Sequence, residues 1–103
     1  MANLEAVQVT TSGTVSDPIS AGVSGDRVRP NVFVRVTNGG GADITVTMVT
    51  HTTVDGLAVD DREIVVPAAG SVVFKTSRTY VASDGWCDLT YSSATSVTLE
   101  VLR

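Results

Sequence analysis

Apolar and polar residues alternate along several short runs of this chain. The run 32–37 places Val32, Val34 and Val36 at every second position. Successive side chains of a β-strand point to opposite faces, so a period of two predicts a strand with one buried face. The composition agrees, because 19 Val and 14 Thr stand against 5 Leu and 1 Lys, and β-branched side chains favour strands. No run of ten residues shows a helical period, so we expect an all-β protein with no substantial helix.

Turn residues between the alternating runs predict three β-hairpins. They span 32–49 with a glycine turn, 62–76 with a turn at 67–70, and 86–101 with a turn at 92–95. A first strand is expected at Leu4–Thr10, before the hairpins. About seven or eight short antiparallel strands predict a single β-sandwich, jelly-roll-like or immunoglobulin-like, with a partly closed barrel as the alternative.

A length of 103 residues is enough for one domain with one core, so residues 1–103 are expected to form a single β domain. Within it, Thr11–Arg29 forms a long connection with three glycines and few large apolar residues. Connections of this length are unusual in small domains and are often functional. We therefore expect residues 1–30, the first strand and this connection, to serve assembly contacts by strand addition.

Charge and hydropathy exclude several classes of protein. The net charge of −4 argues against nucleic-acid binding, which needs a clustered basic face. No apolar run approaches twenty residues, so no membrane span is expected. The N-terminal residues lack both a basic region and an apolar run, so we expect synthesis in the cytoplasm without a secretory signal.

The residues that carry catalysis are scarce, with one His, one Cys and one Lys in the chain. A His51–Cys87 dyad requires the fold to bring the two together, and a small buried thiol is the simpler interpretation of Cys87. The acidic stretch 55–61 lacks the ligand spacing of a calcium loop, and turn chemistry explains it as well. We predict no catalytic residue, no cofactor and no metal site.

Arginine and aromatic residues are candidates for contacts with a partner protein, and scattered surface solvation explains the arginines equally well. Trp86 lies opposite Cys87, Leu89 and Tyr91 on its strand, and a place in the core is the preferred interpretation. The alternative is an exposed anchor for a partner or, together with Tyr80, for a sugar. The candidate partner-interface residues are Leu4, Val7, Val9, Ile19, Arg27, Arg29, Tyr80 and Trp86.

A little over half of the chain, Thr45–Arg103, resembles a known group of proteins. The segments that carry the likeness are TVDGLAVDDR at 53–62, VVPAAG at 65–70 and LTYSSATSVTLEVLR at 89–103. They resemble small all-β virion proteins of tailed bacteriophages of actinobacteria, a group that includes head decoration and minor capsid proteins. These segments are turn and strand patterns rather than catalytic signatures.

The resemblance implies a non-enzymatic structural protein made in the host bacterium and located on the virion. Its partner would be the major capsid protein, and its role to bind the outside of the assembled head and stabilise it. Such proteins commonly sit at local threefold positions, so a trimer is the oligomer that the resemblance implies. The alternatives are a tail or neck component and a carbohydrate-binding module for the host surface.

Overall fold

The computed structural model describes residues 2–13, 18–51, 53–58, 60–82 and 84–103. The described residues form eleven strands and a 3₁₀ turn at Arg78–Tyr80. The strands are β1 (Ala2–Leu4), β2 (Ile19–Ser20), β3 (Asp26–Val28), β4 (Phe33–Asn38), β5 (Ile44–Met48), β6 (Thr53–Val54), β7 (Leu57–Ala58), β8 (Arg62–Val66), β9 (Ser71–Lys75), β10 (Cys87–Tyr91) and β11 (Val97–Leu102).

Nine of these strands form two sheets that pack face to face. The five-stranded sheet has the order β1-β3-β10-β5-β8, and the four-stranded sheet has the order β2-β11-β4-β9. Every neighbouring pair is antiparallel except β1 and β3, which are parallel. Strands β6 and β7 form a separate small hairpin. The predicted all-β sandwich is confirmed, and the part of the chain described here contains no α-helix.

The strand order is that of a jelly roll. Without β1 and the small hairpin, eight strands form two four-stranded layers, β3-β10-β5-β8 and β2-β11-β4-β9. Along the chain each strand lies in the other layer from the one before it, with the exception of β5 and β8. This alternation between two layers is the double Greek-key arrangement of jelly rolls.

The alternating residues of the sequence point into the space between the sheets, as predicted. Strand β4 buries Val34 and Val36 and exposes Phe33 and Arg35. Strands β5 and β11 bury every second residue in the same way, and β10 buries Cys87 and Leu89. The core consists of Leu4, Val28, Val32, Val34, Val36, Ile44, Val46, Met48, Val66, Cys87, Leu89, Val97, Leu99 and Val101.

The three predicted hairpins are wrong, although their strands are present. β4 and β5 lie in different sheets, as do β8 and β9, and β10 and β11. The connections 39–43, 67–70 and 92–96 are therefore arches that cross from one sheet to the other. Alternation specifies which face of a strand is buried but not which strand lies beside it, and an arch lets two such faces meet across the core.

The N-terminal segment also differs from its prediction. β1 ends at Leu4, where the predicted strand begins, and Val7 forms a parallel bridge to Leu102 of β11. The predicted connection Thr11–Arg29 contains β2 and β3, and its residues 14–17 lie outside the described part. The segment thus passes from the edge of one sheet to the edge of the other and closes this side of the sandwich, with Leu4 only 6% exposed.

Candidate binding surfaces

The arches meet at one end of the sandwich, where Asn38 links them. Its side chain is buried; Nδ2 donates a 2.7 Å hydrogen bond to the Ala42 carbonyl, and Oδ1 accepts one from the Gly40 N–H at 3.0 Å. The neighbouring arch is attached through Asp43, whose carboxylate accepts a hydrogen bond from the Ala68 N–H. The sequence carries a signal for this role of Asn38, because the residue follows the buried positions 34 and 36 at the same spacing and precedes a run of glycines. Our sequence analysis missed it.

A shallow pocket of about 230 Å³ lies between two of these arches. Its lining residues are Asn38, Gly40, Gly41, Ala42, Asp43, Ile44, Ser93, Thr95 and Ser96. The lining is mostly backbone and small polar side chains, and Asp43, its one carboxylate, already accepts the Ala68 N–H. The volume is below the range of about 300–1,000 Å³ that is usual for small-molecule sites.

A buried carboxylate lies in the interior near the same end. Asp26 is 2% exposed and accepts hydrogen bonds from the Tyr91 hydroxyl at 2.7 Å and from the Gly22 N–H at 2.9 Å. Burial, and then the hydrogen bond and charge of Asp26, raise the pKa of Tyr91. A Cβ at Gly22 would lie 2.8 Å from the Gly25 carbonyl oxygen, so the turn requires glycine there. Asp26 therefore fastens the connection 21–25 to the sheet.

The outer face of the five-stranded sheet carries a cluster of charges. Asp88 on β10 contacts Nε of Arg27 at 3.1 Å and Nε2 of His51 at 3.0 Å. Arg27 also lies 3.4 Å from Asp84. These groups are partly exposed, so their ion pairs add little to stability. Arg27 lies between two carboxylates, so the cluster mixes both signs rather than forming a patch of one sign.

Trp86 lies beside this cluster and not in the core. Cys87 and Leu89 face the interior, and Trp86 is half-buried with the Arg29 guanidinium 3.8 Å from its ring centroid. The preferred prediction of a core tryptophan is therefore wrong. Arg29 also approaches Glu5 at 4.0 Å. This cation–π contact covers one face of the indole.

Tyr80 ends the 3₁₀ turn and packs half-buried against the core cluster. A sugar platform needs open aromatic faces, and Tyr80 and Trp86 are both half-buried, so they present little of their rings to solvent.

The proposed dyad of His51 and Cys87 does not form. His51 contacts Asp88 on the outer face, whereas Cys87, the next residue along β10, is buried on the inner face. Burial raises the pKa of the Cys87 thiol to about 11, with a smaller contribution from Asp88. A thiol with this pKa is protonated at neutral pH and unreactive. Among the described residues no group of three or more His, Cys, Asp or Glu could hold a metal ion.

An apolar row crosses the outer face of the four-stranded sheet. The bridge and the register align Val7, Leu102, Phe33 and Lys75 in that order across the sheet. Phe33 is 45% exposed, and the Lys75 ammonium lies 5.6 Å from its ring centroid. The next row carries Val73, 53% exposed. We name Val7, Phe33, Val73 and Leu102 the apolar face; the sequence analysis included Val7 but missed the other three.

Two further predicted interface residues, Val9 and Ile19, lie at the edge of this sheet. The Val9 N–H donates to the carbonyl of Arg103, and Ile19 pairs with Leu99 of β11. Both side chains are about half exposed. Leu4, in contrast, is in the core. The structure thus brings Val7, Val9 and Ile19 to one edge and Arg27, Arg29 and Trp86 to the opposite sheet.

The fold and its surfaces define a small jelly-roll domain with an exposed apolar sheet face. Comparison with models of protein families, with curated proteins and with solved structures finds no match to this chain. No helix in the described ranges is long and apolar enough to cross a membrane.

Proposed function

We propose that this chain is a non-enzymatic structural protein of a tailed-phage virion, made in the bacterial cytoplasm and assembled on the outside of the head. In this role it is a decoration or minor capsid protein whose partner is the major capsid protein. The resemblance of Thr45–Arg103 to such proteins supports the proposal, as does the jelly roll, which recurs in capsid domains.

The observation that carries the proposal is the apolar face. Phe33 and Val73 project from the middle and the edge of a regular sheet, so their positions are fixed by the ladder rather than by a loop. Arg35 and Glu100 lie in the same cross-strand row as Val73 and supply polar groups beside the apolar ones. Apolar anchors with a polar surround are the usual anatomy of a protein–protein interface.

A binding surface of this kind stabilises a shell by mass action. Full burial of one large apolar side chain contributes about 1.5–3 kcal/mol, and these side chains are already about half buried. Each copy then contributes a modest free energy, repeated at every equivalent position of the shell. A protein that binds only the assembled shell shifts the equilibrium towards it.

Co-sedimentation with heads assembled without this protein tests the proposal. We expect wild-type protein to pellet with heads and Phe33→Ser to bind at least tenfold more weakly. Val65→Ser is the matched control, because Val65 is 58% exposed on an edge strand of the other sheet, and it should bind like wild type. Circular dichroism checks that both variants fold.

Absence of wild-type protein from the pellet, or equal binding by both variants, would contradict this assignment of the docking face. Binding to purified tails but not to heads would instead identify a tail or neck component.

A further inference from the structure

The two long sides of the sandwich differ. The N-terminal segment closes the side next to β3 and β11. On the other side β8 and β9 are the last strands of their sheets, and no described strand lies beyond them. The inward-facing Ile64, Val72 and Phe74 near this opening are only partly buried, although they pack against the core.

The backbone of β9 presents its hydrogen-bonding groups to this open side. Its ladder with β4 is bounded by two hydrogen bonds, from the Thr76 N–H to the Val32 carbonyl at 2.9 Å and from the Asn38 N–H to the Gly70 carbonyl at 2.8 Å. Hydrogen-bonded and non-hydrogen-bonded pairs alternate along an antiparallel ladder. The even-numbered residues of β9 therefore bond to β4, and the odd-numbered ones direct their N–H and C=O groups outward.

These outward groups belong to Ser71, Val73 and Lys75. Within the described ranges, no hydrogen bond from another segment reaches them. Unpaired N–H and C=O groups along an edge strand form a template for a further strand.

The two edges of the open side are protected to different degrees. β8 begins with Arg62 and Glu63, which follow Asp61, and Pro67 comes directly after it. Charged residues and proline are the usual protection of an edge strand. β9 has no proline and no charge before Lys75, its last residue. The exposed edge of β9 is therefore the one open to pairing.

We propose that a second copy of this chain occupies this edge, with β9 paired antiparallel to the partner subunit's β9 about a two-fold axis at Val73. This register opposes Val73 to the partner's Val73, and Ser71 to the partner's Lys75. All three outward residues of each copy then bond across the axis, with about six backbone hydrogen bonds in total. A two-fold contact of this kind is self-complementary.

Side chains and charges favour the same register. On the inner face it opposes Val72 to the partner's Phe74, a cross-strand pair of an aromatic and a β-branched residue. The partly buried apolar residues of the open side then cover one another. Lys75 and the partner's Lys75 lie at opposite ends of the five-residue ladder, about 14 Å apart at 3.4 Å per residue, which exceeds the screening length of about 8 Å in physiological salt.

Val73 belongs both to this contact and to the apolar face, but the contact is tested on the free protein without heads, so its failure is distinguishable from failure of the proposed function. It differs from the trimer that the resemblance implies. Light scattering during size-exclusion chromatography should give twice the chain mass of 10.7 kDa for the wild type. Val73→Lys opposes like charges at the axis and should weaken dimerisation at least tenfold. Val65→Lys makes the same change at a similarly exposed valine on β8 and should leave the dimer intact.

A cysteine variant tests the register itself. Directly opposed residues have Cα atoms about 5.5 Å apart, within the span of a disulfide. Mild oxidation should therefore convert Val73→Cys to a covalent dimer, and Val65→Cys should stay uncrosslinked. Monomeric or trimeric wild type, dimer loss in Val65→Lys but not in Val73→Lys, or failure of Val73→Cys to crosslink would each overturn the proposal.

Discussion

The phenolic hydroxyl of Tyr91 on β10 donates a 2.7 Å hydrogen bond to Oδ2 of Asp26 on the neighbouring strand β3, and Asp26 is only 2% exposed. The backbone N–H of Gly22 donates to the same oxygen. A buried carboxylate depends on such donors. The pair therefore holds the β2–β3 connection against the core.

Removal of the hydroxyl should destabilise the fold. We expect Tyr91→Phe to lower the free energy of unfolding by about 1–3 kcal/mol, because the buried Asp26 carboxylate loses the hydroxyl donor. Urea unfolding at pH 7 measures this. A change below about 0.5 kcal/mol would show that the hydrogen bond has no role in stability.

The same pair predicts sensitivity to alkaline pH. The pKa of Tyr91 is raised by burial and by Asp26, so the folded protein holds the phenolic proton more tightly than the unfolded chain. This contribution to stability is present below about pH 10 and declines as the pH rises further. We expect Tyr91→Phe to lose stability less steeply than wild type between pH 10 and 11. Parallel slopes in urea unfolding across that range would argue against the linkage.

Cys87 should be inert in the folded protein. Its pKa is raised to about 11 by burial, so little thiolate exists at pH 8, and access is blocked as well. We expect a thiol reagent to label native protein at least a hundredfold more slowly than protein unfolded in urea. Labelling at the rate of the unfolded chain would show that the β10 region opens readily.

Asn38 should contribute more to stability than its neighbour on β4. Asn38→Asp replaces the Nδ2 donor with an oxygen that faces the Ala42 carbonyl, and we expect a loss of about 2–4 kcal/mol in chemical unfolding. Thr37→Ala is the control on the exposed face and should change stability by less than about 0.5 kcal/mol. Equal losses in the two variants would mean that the arches are not held by Asn38.

The N-terminal segment should be part of the folded unit. We expect Leu4→Ala to cost about 2–4 kcal/mol, because it opens a cavity in the core. Val9→Ala removes a half-exposed side chain from the same segment and should cost less than about 0.5 kcal/mol. If Leu4→Ala were as mild as Val9→Ala in thermal unfolding, the segment would not close the sandwich.

The sequence determined strand positions and faces better than strand partners. The alternation at Val34 and Val36 is the same in a hairpin strand and in an arch strand, because each buries one face. In the structure β4 lies beside β11 and β5 lies beside β10, and both of these partner strands come from the C-terminal part of the chain. Their pairing decides whether the connection 39–43 turns within one sheet or crosses to the other. Such non-local choices leave no periodic signal.

Polar residues on buried faces explain most of what the sequence analysis missed at the candidate sites. Asn38 and Asp26 each occupy an inward position next to valines, and their partners, Ala42 and Tyr91, are specified by turn geometry and by a contact across the sheet. Trp86 was misassigned because the alternation of its strand allows either face to be the buried one; in the structure Arg29 covers it on the outer face.

Cryo-electron microscopy of phage heads assembled without this protein, mixed with an excess of it, tests the proposed function most directly. The account predicts regular extra density on the outer shell, with the four-stranded sheet and Phe33 facing the major capsid protein. Bare shells, or density only at the portal vertex or along tails, would contradict it.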